Sequence, residues 1–365
     1  MKIECVKEKL QEAVSKAEKV TGKNLTLPIL SNVYLEVKKD NLLIRATNLD
    51  VGVELSVPGK VFKTGSVVVS GQVLHSLIQN ISDSKIRLEK NQETLLVSSE
   101  NTSTTIKTVP GEDFPSIPNV SMRESFSLET KEFLEGVHSV WYAASISSMK
   151  PELSSVFITN QDEQVVFVAT DSFRLAEKKI RASKIKKFSD ILVPVKNIID
   201  ISKVLEGLEG DLLVQIAEGQ ISFQTQSVYI TSRLIEGNFP DYKQIIPKET
   251  KTTTTLLKQD LLGGLKTANI FSDKFNKITF NIEPKNKKFY LETKNTEVGE
   301  NTTMIQASLS GEGVKLNFNN KYVVDSLQSI PTDSLKLSFS GEGKPMVIQG
   351  VGEKTFLYLA MPMSG

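Results

Sequence analysis

Cysteine occurs once in the 365 residues, as Cys5, so no internal disulfide can form and the chain reads as a protein of a reducing compartment. The two histidines, His75 and His138, lie far apart with no cysteine near either, which leaves no ligand set for a structural zinc. Basic and acidic side chains number 44 and 43, for a formal net charge of +1, so bulk charge attraction does not hold this protein on nucleic acid. No apolar run approaches the roughly 18 residues that span a bilayer, and the opening "MKIECVKEKLQEAV" reads as a charged amphipathic helix, not a signal peptide. These absences describe a globular cytoplasmic protein with no membrane partner and no cofactor, long enough for two to three domains with ordinary cores.

Short β-branched runs split by turn residues dominate what is present, among them "NVYLEVKKDNLLIRATN", "GSVVVSG" and "DLLVQIAEGQISFQTQSVYITSRLIEG". Six stretches carry helical spacing instead, starting near Val6, Gln72, Lys131, Lys196, Lys258 and Lys321, in the order long helix then second helix, three times over. The apolar pairs Val73 and Leu74, Ile198 and Ile199, Val323 and Val324 recur every 125 residues, and the polar turns holding Thr47, Thr170 and Thr293 recur every 123. Prolines near the block ends, at 115, 240 and 362, keep nearly the same period. Solenoid units run to roughly 20 to 50 residues, so a period this long is a whole domain with its own core. The expectation is an α+β chain of three repeated β-rich domains with two helices each, over 1–120, 121–248 and 249–365. The apolar ending "FLYLAMPMSG" then begins as the third copy's closing strand, its large side chains partly core.

Catalytic readings find little support. "SGEGKP" lacks the spacing of a phosphate-binding loop, and Pro345 stands where the metal-binding hydroxyl would be, so it reads as a hairpin turn. Asp50 and Asp171 are read as equivalent repeat positions, and a metal-binding pair would need two domains to converge. Cys5 reads as a core residue at a strand start. The second copy departs from the others at one turn: "TNLDVG" and "KNTEVG" become "TDSFRL", which brings in Phe173, Arg174 and Leu175. Packing would account for them, and so would a groove whose apolar walls and one orienting arginine hold a short peptide.

Taken together, "TLPILSN", "ATDSFRL", "GNFPDYKQIIP" and the terminal "MPM" resemble the bacterial β sliding clamp, the processivity subunit of DNA polymerase III, and the likeness runs from Leu27 to Met363. The resemblance implies the DNA clamp fold, with three domains forming half of a six-domain ring. It further implies a non-enzymatic, head-to-tail homodimer around double-stranded DNA, bound without sequence specificity. The implied partners are the DNA polymerase III catalytic subunit, the clamp loader and other proteins with a clamp-binding motif. Carried over residue by residue, the partner-peptide groove would comprise Leu153, Thr170, Arg174, Leu175, Pro240, Ile245, Phe275, Asn319, Tyr322, Leu359, Ala360, Met361, Pro362 and Met363. Lys23, Asn24 and Lys150 fall in turns that resemble the family's DNA-facing loops, while Lys196 and Lys203, with Lys7, Lys16, Lys258 and Lys266, fall on lining helices. Ser172 and Phe173 stand where relatives often have Gly and His, and Gln244 where some have a basic residue, so the departures fall on the groove's rim.

Ring geometry favours two chains. A domain of about 120 residues is roughly 35 Å across; three in a ring leave a gap of about 5 Å and six leave about 35 Å, and only the latter admits a duplex about 20 Å wide. A ring retained by topology needs only weak phosphate contacts, which fits a near-neutral chain. Two other classes stay open on sequence: a metal-dependent nuclease, which needs a convergent acidic cluster, and a structural protein assembling through sheet edges into filaments.

Overall fold

The computed structural model describes residues 1–22, 27–121, 123–182 and 187–363. The chain divides into two compact units, Met1–Leu134 with Ile185–Ser189 and Lys196–Leu234, and Glu135–Lys184 with Asp190–Val195 and Ile235–Gly365. The middle of the chain thus feeds both.

In the first unit, the described residues form twelve strands in one hydrogen-bonded series. Strand Lys2–Val6 pairs with Lys85–Asn91 on one side and Val51–Lys63 on the other, which closes the strands of residues 2–109 on themselves. Val51–Lys63 also pairs with Val228–Arg233, and the series continues through Gln220–Gln224 and Asp211–Ala217 to Glu124–Glu129. The opening residues Lys2–Val6 are strand, as the reading of Cys5 implied and against the reading of the whole opening as helix: Ile3 and Cys5 alternate inward between the outward-facing Lys2, Glu4 and Val6, a period of two that buries them at 0% and 2% exposure. Burial pushes the Cys5 thiol up to about 12, which keeps it protonated and unreactive.

Six helices occur among the described residues: α1 Lys7–Val20, α2 Gly71–Asn80, α3 Thr130–His138, α4 Val195–Leu205, α5 Lys258–Ile270 and α6 Asn320–Leu327. Each begins within one residue of its expected start. In every apolar pair on the second helices one member turns to the core, namely Leu74, Ile198 and Val323. The Ser70 hydroxyl caps α2 by accepting from the Val73 N–H, and the Asn319 side chain caps α6 by accepting from the Tyr322 N–H. Gly136 in α3 is required by packing, since a Cβ there would lie 2.4 Å from the Phe167 ring.

In the second unit, nine described strands form one sheet in the order Ile191–Pro194, Ser155–Gln161, Gln164–Thr170, Arg174–Arg181, Phe356–Ala360, Met346–Gly350, Ser334–Phe339, Thr252–Leu257 and Ala307–Gly311. A second sheet runs Gly299–Met304, Lys288–Asn295, Lys277–Glu283, Val314–Asn319. The closing strand Phe356–Ala360 is paired on both sides, with Phe356 and Tyr358 wholly buried, so the apolar ending is core as far as Ala360. "SGEGKP" is the hairpin between antiparallel strands Ser334–Phe339 and Met346–Gly350. No helix among the described residues is long and apolar enough to cross a membrane.

Two details of the repeat differ from expectation. Thr293 lies inside strand Lys288–Asn295 and donates to the Ala268 carbonyl of α5 at 3.2 Å, because its follower Lys294 has no side-chain acceptor to close a turn there. The turn forms later, where Asn295 accepts from the Glu297 N–H at 2.9 Å. The structural counterpart of Asp171 is Asn48 and not Asp50, since Asn48 and Asp171 make the same turn bonds.

Candidate partner-binding groove

Strand Gln164–Thr170 ends and strand Arg174–Arg181 begins around a turn of Asp171, Ser172 and Phe173. The Asp171 carboxylate accepts from the N–H groups of Phe173 and Arg174, both at 2.9 Å, and the Thr170 hydroxyl donates to the Arg174 carbonyl at 2.6 Å. These bonds make an Asx turn and hold Ser172 in the left-handed region at φ 76°. Phe173 is left at the apex, 63% exposed, while Arg174 and Leu175 enter the strand buried.

Arg174 is 8% exposed and paired with two carboxylates. Its Nε donates to Asp171 at 3.0 Å and its Nη1 to Asp325 at 2.8 Å, and the guanidinium lies 4.3 Å from the centre of the Tyr322 ring. Burial works against the charge, but the Tyr358 oxygen and the two carboxylates outweigh it and raise the guanidinium's affinity for its proton. Burial also pushes the phenols of Tyr142, Tyr322 and Tyr358 up, so all three stay neutral. The orienting arginine of the sequence is thus the peg that ties the turn to α6, which carries Tyr322 and Asp325.

Leu175 and Leu359 are register partners across strands Arg174–Arg181 and Phe356–Ala360, and both join a buried cluster with Phe157, Val168, Val347 and Tyr242. Each such leucine contributes about 1.5 to 3 kcal/mol by burial. Tyr242 enters the cluster from the short helical turn Tyr242–Ile245, and its hydroxyl donates to Glu177 at 2.6 Å. That anchor leaves Pro240 and Ile245 at the surface. Past Ala360, the Met361 N–H donates to the Phe173 carbonyl and the Met363 N–H to the Asn317 carbonyl, both at 2.8 Å. Asn319 donates to the Phe275 carbonyl at 3.2 Å, and Phe275 is 58% exposed. Hydrogen bonds and strand pairs therefore connect Thr170, Arg174, Leu175, Phe275, Asn319, Tyr322, Leu359, Ala360, Met361 and Met363, with Pro362 between the two bonded methionines. Leu153 lies outside this network, buried at the end of a loop closed by the Ser145 N–H on its carbonyl at 2.8 Å.

Asp171, Asp325, Tyr142 and Tyr358 complete the site and were not identified from sequence. Asp171 was detectable, standing three residues before the arginine in a Thr-Asp-Ser turn; Asp325 lies 151 residues away and carries no local signal. Among the basic candidates, Lys150 and Lys196 are exposed, while Lys203 is half-buried with its ammonium 3.3 Å from Asp200. Lys23 and Asn24 lie outside the described residues. Lys16 does not offer a free charge from α1: it is 5% exposed, its ammonium 3.0 Å from Glu12.

Residues 1–118, 127–241 and 243–364 match, in order, the N-terminal, central and C-terminal domains of the DNA polymerase III beta subunit. The beta sliding clamp of Synechococcus elongatus is 25% identical over 372 residues, covering 100% of this chain and 99% of that protein. The crystal structure of the DNA polymerase III beta subunit of Thermotoga maritima superposes with a TM-score of 0.94 at 27% identity, covering 100% of this chain and 99% of that one. A DNA polymerase sliding clamp from Bacillus subtilis shares the fold, with a TM-score of 0.93 at 22% identity and coverage of 100% and 99%.

Proposed function

Because the chain belongs to the DNA polymerase III beta subunit family, we propose that two copies close head to tail around duplex DNA and dock partner proteins in the groove beside Arg174. The protein is a sliding clamp, a subunit of the replication machinery and not an enzyme. The observation that carries this reading is the succession of all three family domains along one chain. The proposed division is 1–120, 121–248 and 249–365, and the proposed compartment is the cytoplasm.

Open strand edges support the homodimer. Among the described residues, Gly299–Met304 pairs only with Lys288–Asn295, and Met304 at its end is 53% exposed. Ser103–Val109 is likewise paired on its second side only at Thr108 and Val109. An antiparallel pairing of these two edges across chains would satisfy both, in a heterologous contact repeated twice. Lys150, Lys196 and Lys203, with Lys23 and Asn24, are the proposed DNA contacts, too few and too scattered to read sequence. The catalytic subunit of DNA polymerase III, the clamp loader and other motif-bearing proteins are the proposed occupants of the groove. The test is primer extension by the polymerase with its clamp loader: adding this protein should lengthen the product of a single binding event, and unchanged product length would overturn the reading.

A further inference from the structure

The frame of the groove is built a second time in the first unit, around Thr47. The Asn48 side chain accepts from the Asp50 and Val51 N–H groups at 3.1 and 2.8 Å, the Thr47 hydroxyl donates to the Val51 carbonyl at 2.8 Å, and Leu49 sits at φ 76°. The register agrees as well: Gly52 pairs with Thr231 as Leu175 pairs with Leu359, and the Arg233 N–H donates to the Asp50 carbonyl at 3.0 Å as Met361 does to Phe173. A cavity of about 240 Å³ opens beside this turn, lined among others by Leu49, Asp50, Ser116, Gln220, Thr231 and Arg233.

Its chemistry is opposite to that of the Arg174 groove. Position for position, Phe173 is replaced by Asp50, Met361 by Arg233, Leu175 by Gly52 and Leu359 by Thr231. The apolar floor is closed, because a Cβ on Gly52 would already lie 3.2 Å from Ile117 and 3.0 Å from the Thr231 hydroxyl. What remains is a polar wall with Arg233 and Asp50 exposed, neither ion-paired among the described residues. We propose that this cavity is a second docking site, taking an extended acidic peptide segment whose carboxylate pairs with Arg233 while a backbone N–H donates to Asp50. It rests on the peptide reading of the equivalent groove, from which it differs in ligand and in place.

The test is amide NMR on the full-length protein with two blocked peptides, acetyl-Ser-Glu-Ser-amide and acetyl-Leu-Leu-Phe-amide, each titrated to about 10 mM, where contacts of about 3 to 4 kcal/mol register. The acidic peptide should shift Leu49, Asp50 and Ser116, and Arg233→Ala should weaken it about tenfold with Arg233→Lys retaining part, as should raised salt. The apolar peptide should shift Phe173 and Met361 instead. No shift at Leu49 and Asp50, or shifts that Arg233→Ala leaves unchanged, overturns the second site. If the acidic peptide behaves as expected and the apolar one shifts nothing, the second site stands and the Arg174 groove falls.

Discussion

The turns at Thr47 and Thr170 share their backbone and differ in the side chains that the backbone leaves free. Both are set by a threonine whose hydroxyl bonds four residues ahead and by an Asn or Asp that accepts from two N–H groups. Both hold a non-glycine residue at φ 76°. At the apex one has Asp50 and the other Phe173, and in the strand that follows one has Val51 and Gly52 where the other has Arg174 and Leu175. The fold thus forms this turn with an aspartate at the apex and no arginine behind it, so a 63% exposed phenylalanine and a buried, doubly paired arginine at Thr170 are not needed to make the turn. Arg174 ties the turn to α6, and under the proposed docking function the exposed Phe173 is there to meet a ligand. The third repeat sharpens the point, because with Lys294 in place of the Asn or Asp the turn moves along the chain.

Asp171→Ala removes two turn bonds and one partner of a buried guanidinium, and should cost about 2 to 3 kcal/mol, read by urea denaturation, along with partner-peptide binding. Installing the groove's leucine in the first unit, as Gly52→Leu, should cost about 2 kcal/mol by overpacking against Ile117 and Thr231. Phe173→Asp, which copies the residue already tolerated in the first turn, should leave stability within about 0.5 kcal/mol yet weaken an apolar partner peptide about tenfold, near 1.4 kcal/mol; equal weakening by Asp50→Ala would dissolve the distinction between the sites. Smallest is Asn48→Ala, expected to cost about 1 kcal/mol, less than Asp171→Ala because the carboxylate its amide reaches, Asp200 at 3.4 Å, is only partly buried and keeps Lys203 as a partner.

Much of this was legible in the sequence. The six helix starts follow from periodicity, which reflects burial directly, and the repeat marked "FLYLAMP" as a closing strand with partly core side chains, of which Phe356, Tyr358 and Leu359 are buried. Arg174 stood out because the turn "TDSFRL" departs from "TNLDVG" and "KNTEVG", which carry Val51 and Val298 at its place. What escaped is long-range: that Val51–Lys63 takes Val228–Arg233 as a neighbour and Arg174–Arg181 takes Phe356–Ala360 is decided by tertiary contacts that strand propensity does not encode. The same holds for Asp325, brought to Arg174 by α6. Lys16 looked like a helix-face charge, but it lies three residues after buried Ala13 and shares the helix's inward side.

The proposed ring would hold DNA by enclosing it. The most direct measurement is retention of the loaded, labelled protein on circular duplex DNA before and after a single linearising cut. A closed ring should be retained in high salt on the intact circle and lost rapidly from the free ends after cutting, because the few weak phosphate contacts of a near-neutral chain do not hold it. Equal retention on both forms, or equal loss from both, would contradict it.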